Sequence, residues 1–372
     1  MPNLKFVCPC HFGLESVLSY EIKKIGGENL TVSDGKVSFF GGFNTLARAN
    51  ICLSTAERVL IVLGEFKATS FTELFDNTKN LPFEEFIGKN DEFPVKGYSL
   101  NSKLHSVPDC QSIIKKAAVE RLKSKYKLQW FTESGPLHQI QFSIHKDNVT
   151  IMLDTSGNGL NKRGYRKGTG NSAPIKETLA AGIVDLARVR DYSHIYDPFC
   201  GSGTILIESA YKALNIAPGM NRHFSAEKWD CVPADVWKTE KEKAFSEIKR
   251  EAEFFAYGSD IDENAVSLSL QNSKKAGVSS KISVSCENVR SFKCDDENGI
   301  IICNPPYGER MLEIKEAEEL YKVMGEVFTN SKAKAYYIIS PHEEFERLFG
   351  RKANKRRKLY NGMIKCQLFM YF

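Results

Sequence analysis

No stretch of this 372-residue chain approaches the roughly 18 consecutive apolar residues that a membrane-crossing helix needs, so no membrane partner is expected. The opening residues Met1 to Phe6 carry no signal-peptide pattern, which argues against secretion. Without a leader, the ten cysteines read as free thiols of a reducing, cytoplasmic compartment and not as a disulfide framework. Cys8, Cys10 and His11 lie too close together for a zinc finger and lack a second ligand pair, so they read as a strand end and no metal is expected. Internal repeats and low-complexity tracts are missing as well. A complete G-x-G-x-x-G is also missing, because the third position after Gly203 is Leu206. No acidic residue follows about 20 positions on, so a nicotinamide-dependent dehydrogenase loses ground. The net charge of +5 is too mild to identify a nucleic-acid partner by itself.

What is present is chemically narrow. The apolar run Ile300 to Cys303 ends in Asn304-Pro305-Pro306-Tyr307. A buried strand there delivers an amide side chain and two residues without backbone N–H groups to the rim of a parallel sheet, where ligands bind. The Asn304 side-chain carbonyl and the Pro305 backbone carbonyl can each accept one hydrogen from an exocyclic amino group, freeing the lone pair of its nitrogen. Tyr307 offers a face to the same ring, a contact worth about 1 to 3 kcal/mol per base. Upstream, Tyr196-Asp197-Pro198-Phe199-Cys200-Gly201-Ser202-Gly203-Thr204 reads as strand, glycine turn and helix start, a sequence that brings backbone N–H groups against a ligand. Cys200 has no partner base and reads as a wall residue. Asp260, at the end of the next strand, is placed to hold two ribose hydroxyls.

Taken together, Asp197 to Thr204, Gly258-Ser259-Asp260-Ile261-Asp262, Glu287-Asn288-Val289 and Asn304 to Tyr307 resemble motifs one to four of class I S-adenosylmethionine-dependent amino-methyltransferases, in the usual order. The resemblance implies a seven-stranded, doubly wound α/β Rossmann-like domain. It also implies that Asp197, Phe199 and Cys200 to Gly203 surround the methionine part of S-adenosylmethionine, that Asp260 with Ile261 holds the ribose side, and that Asn288 and Val289 flank the adenine. S-adenosylhomocysteine would be the product. The family more often has Asp where Asn288 stands. Pro174 and Thr178, in a helix start with Pro in its first turn, belong to an element that closes over the cofactor in that family.

Two smaller α+β regions precede this domain. One spans residues 1 to 60, with helices around Leu14 to Ile25 and Phe43 to Ser54. The second spans 61 to 155, with a helix from Asp109 to Lys127 and strands at Gly97 to Leu100, Ile140 to Ile144 and Val149 to Leu153. The methyltransferase region is then 156 to 372, with a helical insertion at about 215 to 250 whose Trp229 and Trp237 read as core anchors. Lys96 to Ser106, the basic helix after it, and the exit Leu153 to Gly157 leading into Arg163-Gly164-Tyr165-Arg166 make the front half similar to a ferredoxin-like region plus THUMP domain. With the four motifs, the chain resembles the bacterial large-subunit (23S) ribosomal RNA guanine-N2-methyltransferase group, which implies an RNA partner.

Three basic runs fit that partner, and the candidates for phosphate contact are Lys115, Lys116 and Lys123 in the first, Lys162, Arg163 and Arg166 in the second, and Arg356 and Arg357 in the third. Each run alone is equally well explained as a solvated face. Transfer RNA as substrate, an adenine-N6 enzyme, and a non-catalytic RNA-binding assembly factor remain alternatives. Oligomeric state and the modified nucleotide are not legible.

Overall fold

The computed structural model describes residues 3–166, 174–308 and 311–372. The front half is β1 (Leu4–Pro9), α1 (Glu15–Lys24), β2 (Glu28–Ser33), β3 (Lys36–Gly41), α2 (Phe43–Cys52), β4 (Leu60–Lys67), α3 (Phe71–Lys79), β5 (Val95–Leu100), α4 (Val107–Tyr126), β6 (Ile140–His145) and β7 (Asn148–Asp154). The two front regions expected from sequence share a single sheet, ordered β2-β3-β1-β4-β7-β6-β5. Strand β4 joins them, because it pairs antiparallel with β1 on one side and with β7 on the other. Alternation explains why one face of this sheet is dry. In β3 the pattern places Val37 and Phe39 inward, both fully buried, with Ser38 between them half-buried.

The second half continues with α5 (Glu177–Leu186), β8 (His194–Asp197), α6 (Thr204–Leu214), α7 (Ala234–Ser246), β9 (Phe255–Asp260), α8 (Glu263–Lys275), β10 (Ile282–Cys286), β11 (Gly299–Cys303), α9 (Met311–Thr329), β12 (Ala335–Ser340), α10 (Phe345–Phe349), β13 (Lys355–Asn361) and β14 (Ile364–Tyr371). Its seven strands run β10-β9-β8-β11-β12-β14-β13. All neighbours are parallel through β12, and the closing β13–β14 hairpin is antiparallel. The chain leaves β8 toward β9 on one side and later returns to β11 on the other. The carboxyl ends of these strands therefore meet at a topological switch point, where an open α/β sheet binds its ligands.

The inserted segment fastens the two halves together. Trp229 and Trp237 are buried in the same core as the front sheet. Trp229 stacks on His138 at 4.3 Å and donates its indole N–H to the Leu137 carbonyl at 3.0 Å. Arg48 on α2 reaches Glu240 within α7 and Glu247 just past its end. The tryptophans thus anchor the insertion into the neighbouring unit and not only within itself, which burial of their large apolar surface favours.

Candidate active site

The structure brings the four motifs to one rim. Asp197 ends β8, Asp260 ends β9, Asn288 follows β10, and Asn304 follows β11. Register is the reason: Asp197 lies opposite Gly258 and Asp260 lies opposite Cys286, so an acid that terminates one strand stands beside the end of the next. The turn after β8 is closed by Gly203 donating to the Cys200 carbonyl at 2.7 Å. Gly203 has φ +77, and a Cβ there would lie 2.3 Å from the Ser269 hydroxyl of α8, so both the backbone conformation and the space require glycine.

Asp197 is 1% exposed. Its Oδ1 accepts the Phe199 N–H at 3.1 Å, whereas Oδ2 is buried and has no hydrogen-bond partner among the described residues. Burial first, and then the charge of Asp260, raise its pKa to about 8, against a partial offset from the Phe199 N–H. Asp260 pins the turn: its Oδ2 accepts from the Gly201 N–H at 2.9 Å and its Oδ1 from the Asp262 N–H at 3.0 Å. Ser202 is half-buried, and its carbonyl is held by Asn272 at 2.9 Å. The Cys200 thiol is buried and its pKa is raised by burial, which suits a wall and not a nucleophile. Ile261 is 71% exposed beside the Asp260 carboxylate, an apolar surface at the rim. An orphaned buried carboxylate oxygen, a glycine turn open to close approach and an uncovered aliphatic side chain suit the cationic, zwitterionic and flat parts of S-adenosylmethionine.

Asn288 is exposed and caps the following turn, its Oδ1 accepting the Arg290 N–H at 3.0 Å, while Val289 is buried in the core beneath β11. Pro174, shortly before α5, is half-buried. Thr178 faces the front half instead of the turn: its hydroxyl bonds Glu57, with His11 Nε2 at 3.3 Å. Burial opposes ionisation of Glu57, but the bonds from His11 and Thr178 outweigh it and take its pKa down to about 2. Neighbouring Glu177, which the sequence did not single out, is buried, with no hydrogen-bond partner for Oε2 among the described residues. The part of this element before Pro174 lies outside the described residues.

At the acceptor motif, Pro305 is buried, Pro306 exposed, and Asn304 and Tyr307 half-buried. The Tyr307 hydroxyl donates to Asn304 Oδ1 at 2.5 Å and accepts from the Asn361 amide at 3.2 Å. Burial raises the Tyr307 pKa, so the hydroxyl stays protonated. The Tyr321 hydroxyl, from α9, holds the Pro306 carbonyl at 2.9 Å and thereby ties the motif to the helix that follows.

The basic candidates divide sharply: Arg163 is corrected, and four others are engaged by neighbouring groups. Arg163 is not a surface cation: its side chain is 1% exposed, paired with Glu208 at 3.4 Å and bonded to the Leu160 and Ser54 carbonyls. Removing one member of such a pair costs about 3 to 5 kcal/mol, which makes it a structural residue. Arg166 donates to the Thr204 hydroxyl at 2.7 Å and to the Ile175 carbonyl, bracing the glycine turn from behind. Lys115 is held by Glu133 at 2.7 Å over the ring of Phe93. Arg356 forms a two-pronged pair with Glu346, and Arg357 bonds the Gly13 carbonyl at 2.6 Å and the Ser16 hydroxyl. Lys116 and Lys162 remain exposed and Lys123 half-exposed. The Cys8 and Cys10 thiols are buried, and His11 faces Glu57. No described helix is long and apolar enough to cross a membrane.

Comparison with known proteins agrees with this geometry. Residues 163–369 match the RMKL-like methyltransferase domain, residues 5–60 the RlmL ferredoxin-like domain and residues 68–154 the THUMP domain. The chain is 42% identical to "Putative RNA methyltransferase YpsC" of Bacillus subtilis (strain 168), covering 100% of this chain and 97% of that protein. It is 32% identical to the ribosomal RNA large subunit methyltransferase K/L of Psychromonas ingrahamii over 99% of this chain, but spans only 50% of that longer protein. The crystal structure of SMU.472 complexed with SAH superposes with a TM-score of 0.95 at 36% identity, covering 100% of this chain and 98% of that one. A glycine turn and an acceptor motif at one rim, behind a front half with a THUMP domain, place the chain in the RMKL-like family of class I S-adenosylmethionine-dependent RNA methyltransferases.

Proposed function

We propose that this protein methylates the exocyclic N2 amino group of a guanine in 23S ribosomal RNA. The observation that carries the reading is the meeting of Asn304 and Pro305, at the end of β11, with the Asp197 turn at the end of β8. When bound, S-adenosylmethionine supplies an electrophilic methyl group and leaves as the neutral thioether S-adenosylhomocysteine. The chain's contribution is placement. Asp197 Oδ2 would receive the ammonium of the cofactor's amino acid end, the Gly201 to Gly203 turn would admit it closely, and Asp260 would hold the ribose. The Asn304 and Pro305 carbonyls take the two amino hydrogens of a flipped guanine, and Tyr307 lies against the ring. No strong base is needed, since the nitrogen becomes acidic once it carries the methyl, and the catalytic gain is largely orientation. Flipping costs a few kcal/mol in a stem and less in a loop, so the target is an easily unstacked base.

Large-subunit RNA is favoured by the naming of the K/L relatives, and on that reading we propose a cytoplasmic enzyme. We further propose the division 1–60, 61–155 and 156–372, with the front units gripping RNA. Nucleoside mass spectrometry after incubation with S-adenosylmethionine and, separately, unmodified ribosomal RNA, transfer RNA or duplex DNA tests the reading. N2-methylguanosine in large-subunit RNA alone is expected. The same nucleoside confined to transfer RNA, or N6-methyladenine in any arm, overturns the substrate or the base.

Of the eight basic candidates, Lys116, Lys123 and Lys162 are the ones we assign to phosphate. Each replacement by alanine is expected to weaken RNA binding and to lower the slope of log affinity against log salt by about 1. Fluorescence anisotropy across a salt series measures this, and an unchanged slope in the triple variant removes these lysines from the RNA path.

A further inference from the structure

The Tyr307 hydroxyl has one proton and two amide neighbours. Asn361 Nδ2, which can only donate, approaches the phenol oxygen at 3.2 Å, and Asn304 Oδ1, which can only accept, lies 2.5 Å away. Cys366 Sγ, buried on β14, lies 3.9 Å from the same oxygen, but its single S–H has a nearer acceptor in the Ile364 carbonyl at 3.6 Å. With Asn361 donating, the phenol accepts from β13 and gives its own proton to Asn304. Asn361 is the last residue of β13, paired with Ile364 across the hairpin turn, so its side chain is carried by a sheet and not by a loop.

This polarity matters at Asn304. An amide side chain is nearly symmetrical in shape, and turned over it would present NH2 to the substrate, a group that cannot accept an amino hydrogen. With one lone pair of Oδ1 taken by Tyr307, the amide is held carbonyl-inward and the second lone pair remains for the base. We propose that Asn361 is a positioning residue of the methyl-transfer site, which through the Tyr307 hydroxyl locks the Asn304 amide in its accepting orientation. The proposal rests on the reading of Asn304 as the acceptor for the target amino group.

The variant Asn361→Asp keeps size and shape but offers only acceptors, so it draws the Tyr307 proton away from Asn304. A kcat loss of about tenfold is expected, the worth of one oriented hydrogen bond, with the RNA KM and the S-adenosylhomocysteine affinity unchanged. The test is a double-mutant cycle with Tyr307→Phe, read as transfer of tritiated methyl to unmodified large-subunit ribosomal RNA. In the Tyr307→Phe background the same Asp replacement should have no further effect, because the relay atom is gone. Equal losses in both backgrounds, or full kcat for Tyr307→Phe alone, overturn the lock. Calorimetric binding of S-adenosylhomocysteine reports folding of each variant, and Asn361→Ser, which can still donate, should retain more activity than Asn361→Asp even if the latter is poorly folded. Asn304→Ala in the same assay separates the two ideas: full turnover there sinks the acceptor reading itself, whereas loss there with no effect of Asn361→Asp sinks only the lock.

Discussion

Replacement of Asn304 by alanine is expected to lower the rate of methyl transfer by about 100- to 1,000-fold while leaving S-adenosylhomocysteine affinity within about twofold, as for the removal of one preorganised group at a reacting centre. The side chain sits at the end of β11, and its contact within the described chain is the Tyr307 hydroxyl, so its loss removes an acceptor without touching the turn that follows β8. The energetic asymmetry is larger than the loss of one ground-state bond. The amino nitrogen of guanine is a poor nucleophile because its lone pair is shared with the ring, and only acceptors aimed at both hydrogens draw it out of conjugation. The Pro305 carbonyl alone supplies one of the two. Single-turnover transfer to ribosomal RNA gives the chemical step, and calorimetry with S-adenosylhomocysteine gives the cofactor side. Unchanged transfer would show that the rim of β11 is not where the methyl is received. A parallel fall in rate and cofactor affinity would show that Asn304 instead supports the cofactor.

The site was legible because its parts are strand ends. An apolar run that stops at a functional residue identifies the rim of a sheet, and four such stops in order identify which rim. Asp197, Asp260 and Asn304 were found that way, and the structure sets them side by side. The charges were much less legible. Arg163 meets Glu208, 45 positions along the chain, and Arg357 meets Gly13, 344 positions away. Composition and local pattern carry no information about such partners, so a buried ion pair and a phosphate contact look alike in a basic run. Asn361 was invisible for the same reason: it belongs to the acceptor site through a contact 54 positions distant, and no local motif marks it. Thr178 shows a subtler limit. It sits on the first turn of α5 beside Glu177, and helix rotation alone sends one side chain toward Arg166 and the other toward Glu57 of the front half.

Cofactor binding is expected to release about one proton per site at pH 7 and almost none at pH 9, and Asp197 is the source. In the chain alone its surroundings push its pKa up to about 8, against about 3.9 in an unfolded peptide. Burial is the larger reason and the nearby Asp260 the second. The unpartnered Oδ2 is the atom through which this can be reversed. An ammonium brought against it favours the carboxylate, so the proton held at pH 7 leaves when the ligand arrives, whereas at pH 9 it has already gone. Calorimetry with S-adenosylhomocysteine in buffers of different ionisation enthalpy measures the release, and Asp197→Asn should abolish it and weaken binding by about tenfold or more, the value of a charge-assisted bond. The same shift sets a stability trend in the free protein. A folded pKa above the unfolded one gives stability that is complete below about pH 4 and is lost as pH rises through about 8, so the ligand-free enzyme should soften across that window. Saturating ligand, by holding Asp197 ionised in the folded state, should flatten it. Heats that do not vary with buffer at pH 7 would mean that Asp197 meets no cation, and the amino acid end of the cofactor would then have to be placed elsewhere along the rim.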